Sequence, residues 1–151
     1  MISDVLQRLA AMPARLATIV NGLDEEHMDA RPPGGGLSIR ETLALLADLE
    51  LNVRWTAQAA RVLRDRAPVL AAVEPDVRAF EHGYRHQDPR VALGTYTMAR
   101  KHLLATLAPL ADAEWERTAT TGDGAVITLA AWAKRLADED EGHLRAIESN
   151  A

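Results

Sequence analysis

Four stretches of this chain carry apolar residues at alternating steps of three and four positions. The first stretch runs over Ile2, Val5, Leu9, Met12, Leu16, Ile19 and Leu23. This spacing places the side chains along one face of an α-helix. The composition agrees, since alanine (28) and leucine (20) favour helix and aromatic residues make up only 4%. No stretch sustains the period-two alternation of a half-buried strand, so the chain is predicted to be helical.

Capping and breaking residues set the expected ends of the helices. The long helices are predicted at about 2–22, 38–66, 89–109 and 129–148, with a connection at 24–37, a short extra helix near 76–84 and a turn at 120–124. Ser38 and Glu41 form a capping box, and Thr128 can cap the last helix. Pro13 is expected to bend the first helix. Because each long helix must bury one apolar face, we expect an all-α antiparallel four-helix bundle that spans 1–151 as one domain.

Composition and charge exclude several classes of protein. The formal net charge is -5, whereas a nucleic-acid-binding surface requires clustered Lys and Arg. No stretch is apolar enough to span a membrane, and the N-terminus does not resemble a signal peptide. The chain has no Cys, which removes disulfides, thiolate metal sites and Cys nucleophiles and fits a reducing compartment. We therefore expect a cytoplasmic protein without a nucleic-acid or membrane partner.

Charged residues interrupt two of the apolar stripes. Glu50 lies between Leu46 and Val53 in the second helix, and Asp140 and His143 lie between Leu136 and Ile147 in the last. Buried charges are costly unless they are paired, hydrogen-bonded or bound to a metal. These positions are therefore the first candidates for a functional site.

Two interpretations of these charged residues stay open. The first is structural: Glu50 would form an interhelical ion pair with Arg54 or Arg100, and His143 would be hydrogen-bonded among its acidic neighbours. A metal site is the other interpretation, because Glu139 and His143 are four residues apart and share one edge of a helix. Those two side chains need a third ligand, which Glu50 or Asp48 from the facing helix would supply.

The order of motifs along the chain resembles a known family. Residues 12–50 contain a helix with a proline, an R-P-x-x-G turn and a segment similar to W-S-x-x-E-x-L-x-H-L-x-D-x-E, and residues 122–147 contain a G-x-x-T-L segment before a region similar to H-D-x-x-H. Intermediate residues in the same order are Pro68, Asp76, Tyr84, Asp88, Arg100, Leu107 and Trp115. From about residue 10 to 147, the chain resembles the DinB-like (YfiT-like) superfamily of small bacterial four-helix proteins.

This resemblance implies a fold, a dimer and a metal site that is altered here. Members typically bind zinc or nickel through three His residues and use it in thiol-dependent transfer or isomerisation, and they are commonly homodimers. The matching positions of this sequence are Leu45, Glu139 and His143, so only the last keeps its His. Leu45 has no atom that binds a metal ion, and Leu37 replaces the usual Trp before Ser38.

The leading hypothesis is that the chain is a DinB-like bundle that has lost this metal centre. On this hypothesis we expect no cofactor. A pocket for a small molecule or a low-molecular-weight thiol is expected between the second and last helices, lined by Leu45, Glu50, Glu139, Asp140 and His143. The alternative is a thiol transferase or hydrolase-like enzyme that holds zinc or nickel through Glu139, His143 and either Glu50 or Asp48. The sequence leaves open whether the protein is an enzyme at all.

Overall fold

The computed structural model describes residues 2–151, apart from the side chains of residues 54–57. The helices in chain order are α1 (Ile2–Val20), α2 (Glu25–Asp29), α3 (Ile39–Asp48), a π-helical segment (Leu49–Ala59), α4 (Ala60–Arg64), α5 (Pro75–Glu81), a 3₁₀ turn (Tyr84–His86), α6 (Pro89–Leu107), α7 (Asp112–Trp115) and α8 (Leu129–Asn150). Two strands, β1 (Thr118–Thr120) and β2 (Val126–Thr128), precede α8. Within this part of the chain, no helix is both long and apolar enough to cross a membrane.

Four long helical units form the bundle that the apolar stripes predict. The units are α1, the second long helix (α3, the π-helical segment and α4 in succession), α6 and α8. α6 packs against α3 and α1, and α1 also packs against α8. The stripe residues Leu9, Leu16 and Leu46 are completely buried in this packing. The prediction of a four-helix bundle is therefore confirmed.

The helix starts follow the capping residues of the sequence. The Ser38 hydroxyl accepts the Glu41 N–H and the Glu41 carboxylate accepts the Ser38 N–H, which completes the expected capping box. Asp88 caps α6 ahead of Pro89, and Thr128 caps α8. Pro13 lies inside α1, which continues through it from Ile2 to Val20.

The second long helix is not a uniform α-helix, which the sequence had not indicated. Its middle part, Leu49–Ala59, is π-helical. A π-helix bonds each N–H to the carbonyl five residues back; it is rare, and where it occurs it is often at a functional site. Hydrophobic periodicity reports the buried face of a helix but not its winding, so the prediction of one helix over 38–66 missed this change.

A β-hairpin occupies the region predicted as a simple turn. β1 and β2 pair antiparallel, with Thr118 opposite Thr128 and Thr120 opposite Val126. Leu70 also donates its backbone N–H to the Thr120 carbonyl, at 2.7 Å. Each strand has only three residues, too few to display period-two alternation. The two strands were therefore missed although the turn between them was predicted, and the short helix α2, which Asp24 caps, was missed within the predicted connection 24–37.

The extra helix expected in 68–89 is present and shorter than predicted. α5 covers Pro75–Glu81, and Gly83 then takes the left-handed conformation (φ +60°) before the 3₁₀ turn. Residues 71–74 lie between Leu70, which is hydrogen-bonded to the hairpin, and the start of α5, and we call them the strap. The strap runs beside the gap between the second long helix and α8, where the candidate site lies.

Candidate functional site

A fully buried arginine joins three helices at the centre of the bundle. Arg100 of α6 donates two hydrogen bonds to the Glu50 carboxylate, from Nε (2.5 Å) and Nη2 (3.1 Å). It donates two more to Asp140 of α8, from Nη1 (2.8 Å) and Nη2 (3.1 Å). Burial alone would lower the pKa of Arg100, but the hydrogen bonds to Glu50 and Asp140 and the charge of Glu50 raise it above its usual value. The guanidinium is therefore permanently charged.

The same arginine also contacts α1, so that it touches all four units of the bundle. Its Nη1 donates to the Leu9 carbonyl at 2.9 Å, and the guanidinium carbon lies 5.0 Å from the centre of the Tyr96 ring. All five N–H donors of Arg100 thereby reach an oxygen. We call Glu50, Arg100 and Asp140 the ion-pair cluster. The expected interhelical pair of Glu50 and Arg100 is present, whereas Arg54, the other partner considered, lies outside the described side chains.

Two cross-helix contacts fix how the second long helix and α8 are aligned. Glu50 meets Asp140 through Arg100, and Trp132 donates its indole N–H to the Gln58 side chain at 2.9 Å. Higher numbers on one helix meet lower numbers on the other, so the two helices run antiparallel. By the same alignment, Leu45 faces the neighbourhood of His143.

A half-open pocket of about 520 Å³ lies between these two helices. One wall is the second long helix, which contributes Leu45, Leu49, Val53 and Gln58. The strap and Leu70 form the outer wall, and the hairpin turn 121–123 closes one side. Most of this lining is apolar, and the volume lies in the range typical of ligand-binding pockets.

The α8 wall of the pocket carries both apolar and polar side chains. Trp132, Arg135, Leu136, Glu139 and His143 line the pocket from positions that share one face of this helix. Trp132 and Leu136 are buried, Arg135 and Glu139 are exposed, and His143 is half-buried. The face therefore changes from apolar to polar along α8.

The structure separates the five residues expected to line this pocket into two groups. Leu45, Glu139 and His143 line it. Glu50 and Asp140 lie instead in the ion-pair cluster, where Arg100 binds both carboxylates. Their burial in the core, which the sequence did indicate, serves the packing of the bundle rather than the pocket wall.

Asp48, the other carboxylate considered as a metal ligand, belongs to a different network. It accepts two hydrogen bonds from Arg78 of α5, at 2.7 Å each, together with bonds from the Tyr84 hydroxyl and the Asn52 amide. Burial alone would raise the pKa of Asp48, but these hydrogen bonds and the charge of Arg78 lower it to about 2. Asp48 lines a second, shallower pocket, between α3, α6 and the 3₁₀ turn.

The donors available at the main pocket do not fit a three-ligand metal centre. Glu139 and His143 supply one oxygen and one nitrogen, and Leu45 supplies none. Asp123 also lines the pocket, but its carboxylate accepts the Thr121 hydroxyl and the Ala125 N–H of its own turn. Among the described residues, no group of three His, Asp or Glu side chains is arranged to hold an ion.

Sequence reasoning missed several residues of the pocket. Arg135 and Trp132 share the face of α8 that carries Glu139, so helical periodicity could have added them to the site. The strap and the hairpin turn had no comparable signal, because their position depends on the pairing of Leu70 with Thr120. Of the three tryptophans, Trp115 and Trp132 are buried, and Trp55 lies outside the described side chains.

Comparison with protein families identifies the chain. The model of the DinB superfamily matches residues 8–147, which is nearly the whole sequence. The chain belongs to the DinB superfamily. A search of curated proteins gives no match.

A solved structure has the same fold as this DinB-superfamily chain. It is YfiT from Bacillus subtilis, described as a probable metal-dependent hydrolase with an unusual four-helix bundle topology. The TM-score is 0.91 at 20% sequence identity, and the match covers 99% of this chain and 85% of YfiT. At this identity the likeness shows the fold alone, so the function must be argued from the pocket.

Proposed function

We propose that this DinB-superfamily chain binds a small molecule in the pocket between the second long helix and α8, without a metal centre of the three-histidine kind. The observation that carries the proposal is the composition of that pocket. Leu45 lies beside Glu139 and His143 in one cavity of about 520 Å³. An aliphatic side chain there adds apolar surface for a ligand and supplies no donor to a cation.

The shape and chemistry of the pocket support binding rather than a packing defect. Its walls include buried apolar residues, among them Leu45, Leu70 and Leu136, at 2–5% exposure. Arg135, Glu139 and His143 add polar groups along one wall. An apolar cavity with a few polar groups at one edge is the usual form of a small-molecule site.

A ligand screen with a pocket-filling variant tests the binding proposal. A library of small fragments is screened against the protein by ligand-observed NMR, and the hits are repeated with Ala72→Trp. Ala72 is exposed and lines the pocket, so an indole at this position should occupy the cavity and abolish the hits. Ala113→Trp, on exposed α7, is the matched control and should keep them. Hits that survive Ala72→Trp unchanged would contradict the proposal.

The alternative function is a metal-dependent thiol transferase or hydrolase that uses a mixed carboxylate and histidine site. One observation favours it, since Glu139 and His143 are one turn apart on α8 and line the same pocket. The two candidates for a third metal ligand count against it. Glu50 already pairs with Arg100, and Asp48 already pairs with Arg78. Elemental analysis of untagged protein distinguishes the two functions. Near-stoichiometric zinc or nickel that Glu139→Ala and His143→Ala both remove would establish the alternative.

We also propose that the chain forms the homodimer that its resemblance to the superfamily implied. The exposed apolar side chains of α5 support this, since Val77 and Phe80 are 47% and 89% exposed and lie three residues apart. Sedimentation equilibrium measures the mass directly. A dimer that Phe80→Glu converts to monomer places the interface at α5, and a monomeric wild-type protein would contradict the proposal.

A further inference from the structure

The pocket has a direction, which the antiparallel alignment of its two walls establishes. At the end where Gln58 meets Trp132, the lining is Leu70, Ile127, Trp132 and Leu136. At the other end, Leu45 and Leu49 face Glu139 and His143. Trp132 and His143 are eleven positions apart, which corresponds to about 16 Å along an α-helix. Arg135 follows Trp132 by three positions and so belongs to the first of these ends, where an elongated molecule can place its apolar body beside an anionic group.

Arg135 is the only cationic side chain among the described residues that line this pocket. It lies on the same face of α8, one turn after Trp132. It forms no ion pair within 4.0 Å with the described residues, whereas Lys134 next to it pairs with Asp138 at 3.1 Å. The Arg135 guanidinium can therefore donate to a ligand at the edge of the pocket.

The nearest acidic group on the hairpin is already bound within its own turn. Asp123 accepts the Thr121 hydroxyl and the Ala125 N–H, and these bonds, with a smaller contribution from the charge of Arg135, lower its pKa. The charge of Arg135 thus acts on Asp123 through space, without an ion pair between the two side chains. The planar fork of an arginine matches a carboxylate with two parallel hydrogen bonds, so a carboxylate ligand is its natural partner.

We propose that the ligand of this pocket is an amphiphilic carboxylic acid whose apolar body contacts Trp132 and Leu136 and whose carboxylate binds Arg135. This inference rests on the proposed function and adds the class of ligand to it. The volume of about 520 Å³ limits the ligand to about twenty non-hydrogen atoms, since a cavity of about 150 Å³ holds one benzene ring. Burial of the apolar body supplies most of the affinity, and the carboxylate supplies the selectivity.

Three amphiphiles with the same apolar chain test this assignment. Octanoate, octanol and octylamine are titrated into the protein by calorimetry at neutral pH and low ionic strength. Octanoate should bind most tightly, octanol about twofold to fivefold more weakly, and octylamine most weakly, since a partly exposed ion pair contributes about that factor.

Two variants of α8 separate the contribution of Arg135 from a general effect of charge. Arg135→Gln should reduce the affinity for octanoate to that for octanol and leave octanol unchanged. Lys134→Gln removes the same charge from an exposed neighbour outside the pocket and should leave the order of the three amphiphiles unchanged.

The outcomes distinguish this inference from the proposed function. Equal binding of octanoate and octanol in the wild-type protein would overturn the carboxylate assignment while the small-molecule pocket stands. Preferred binding of octylamine that Glu139→Gln removes would also overturn it, in favour of a cationic ligand. Binding of all three amphiphiles that Ala72→Trp does not reduce would place them outside the pocket and contradict the proposed function as well.

Discussion

Arg100 and Glu50 form a two-point ion pair in which both side chains are completely hidden from solvent, with Nη2 3.1 Å from Oε1. Asp140 joins them at 2.8 Å from Nη1. Breaking a buried pair by removing one partner leaves an uncompensated charge in the core. We therefore expect Arg100→Met to lower the free energy of unfolding by about 3–5 kcal/mol, as measured by urea denaturation.

The matched control for Arg100→Met lies on the surface. Arg15 pairs with Glu141 at 2.5 Å, and the Arg15 side chain is 45% exposed. Arg15→Met should lower the free energy of unfolding by at most about 1 kcal/mol, because water solvates the remaining carboxylate. Equal losses in the free energy of unfolding for the two substitutions would show that the ion-pair cluster does not stabilise the bundle as its geometry indicates.

Replacing the whole cluster should be much less damaging than removing its arginine. The triple variant Glu50→Met, Arg100→Met, Asp140→Leu removes all three charges of the ion-pair cluster, and apolar side chains of similar size occupy the space. Such replacements are often neutral or stabilising. The triple variant should therefore recover most of the stability that Arg100→Met alone loses, and an additive loss would contradict this explanation.

The bundle was predictable from the sequence, whereas half of the pocket was not. Apolar periodicity and the caps at Ser38 and Thr128 report local preferences, which decide where a long helix begins and which face it buries. The buried position of Glu50 followed from the same stripe. The strap and the hairpin depend on pairing between distant backbone groups, such as Leu70 with Thr120, and no local pattern encodes that pairing.

The Asp48 network should make stability depend on pH in the acidic range. The pKa of Asp48 is about 2 in the folded protein, below its ordinary value of 3.8, so folding favours the ionised form. The contribution of ionised Asp48 to the free energy of unfolding is fully present above pH 4 and is lost as the pH falls from 4 to 2. The difference in unfolding free energy between wild type and Asp48→Asn, about 1 kcal/mol for a partly exposed pair, should shrink over that interval.

The control for this pH dependence is an exposed position without a titratable side chain. Ala113→Ser, at an exposed position of α7, should give a difference from wild type that is small at every pH. A difference for Asp48→Asn that stays constant down to pH 2 would contradict the lowered pKa. Guanidinium unfolding monitored by circular dichroism at several pH values measures both variants.

Leu45→His should create a metal site at the main pocket. Leu45 lines the pocket with Glu139 and His143, so an imidazole at position 45 supplies the third donor that the pocket lacks. Three protein ligands are what zinc needs in an open site. Untagged Leu45→His should retain near-stoichiometric zinc after dialysis, as measured by elemental analysis, while wild type retains none.

The control for the created site removes one of its other ligands. Leu45→His with His143→Ala again leaves two donors and should lose the zinc. Zinc retained by this double variant would show that the ion binds elsewhere. A wild-type protein that retains as much zinc as Leu45→His would contradict the argument that Leu45 breaks the site.

The cap of α8 should control the stability of the apolar end of the pocket more than that of the polar end. The Thr128 hydroxyl accepts the Ala131 N–H at 3.1 Å, and Thr128→Ala should lower the unfolding free energy by about 1 kcal/mol. Local fraying begins at the helix end, so hydrogen exchange should accelerate around Trp132 and remain unchanged around His143. Ser149→Ala, at the other end of α8, is the control and should leave exchange around Trp132 unaltered. Equal acceleration at Trp132 and His143 would mean that α8 opens as one unit, in which case the cap would govern the whole pocket wall.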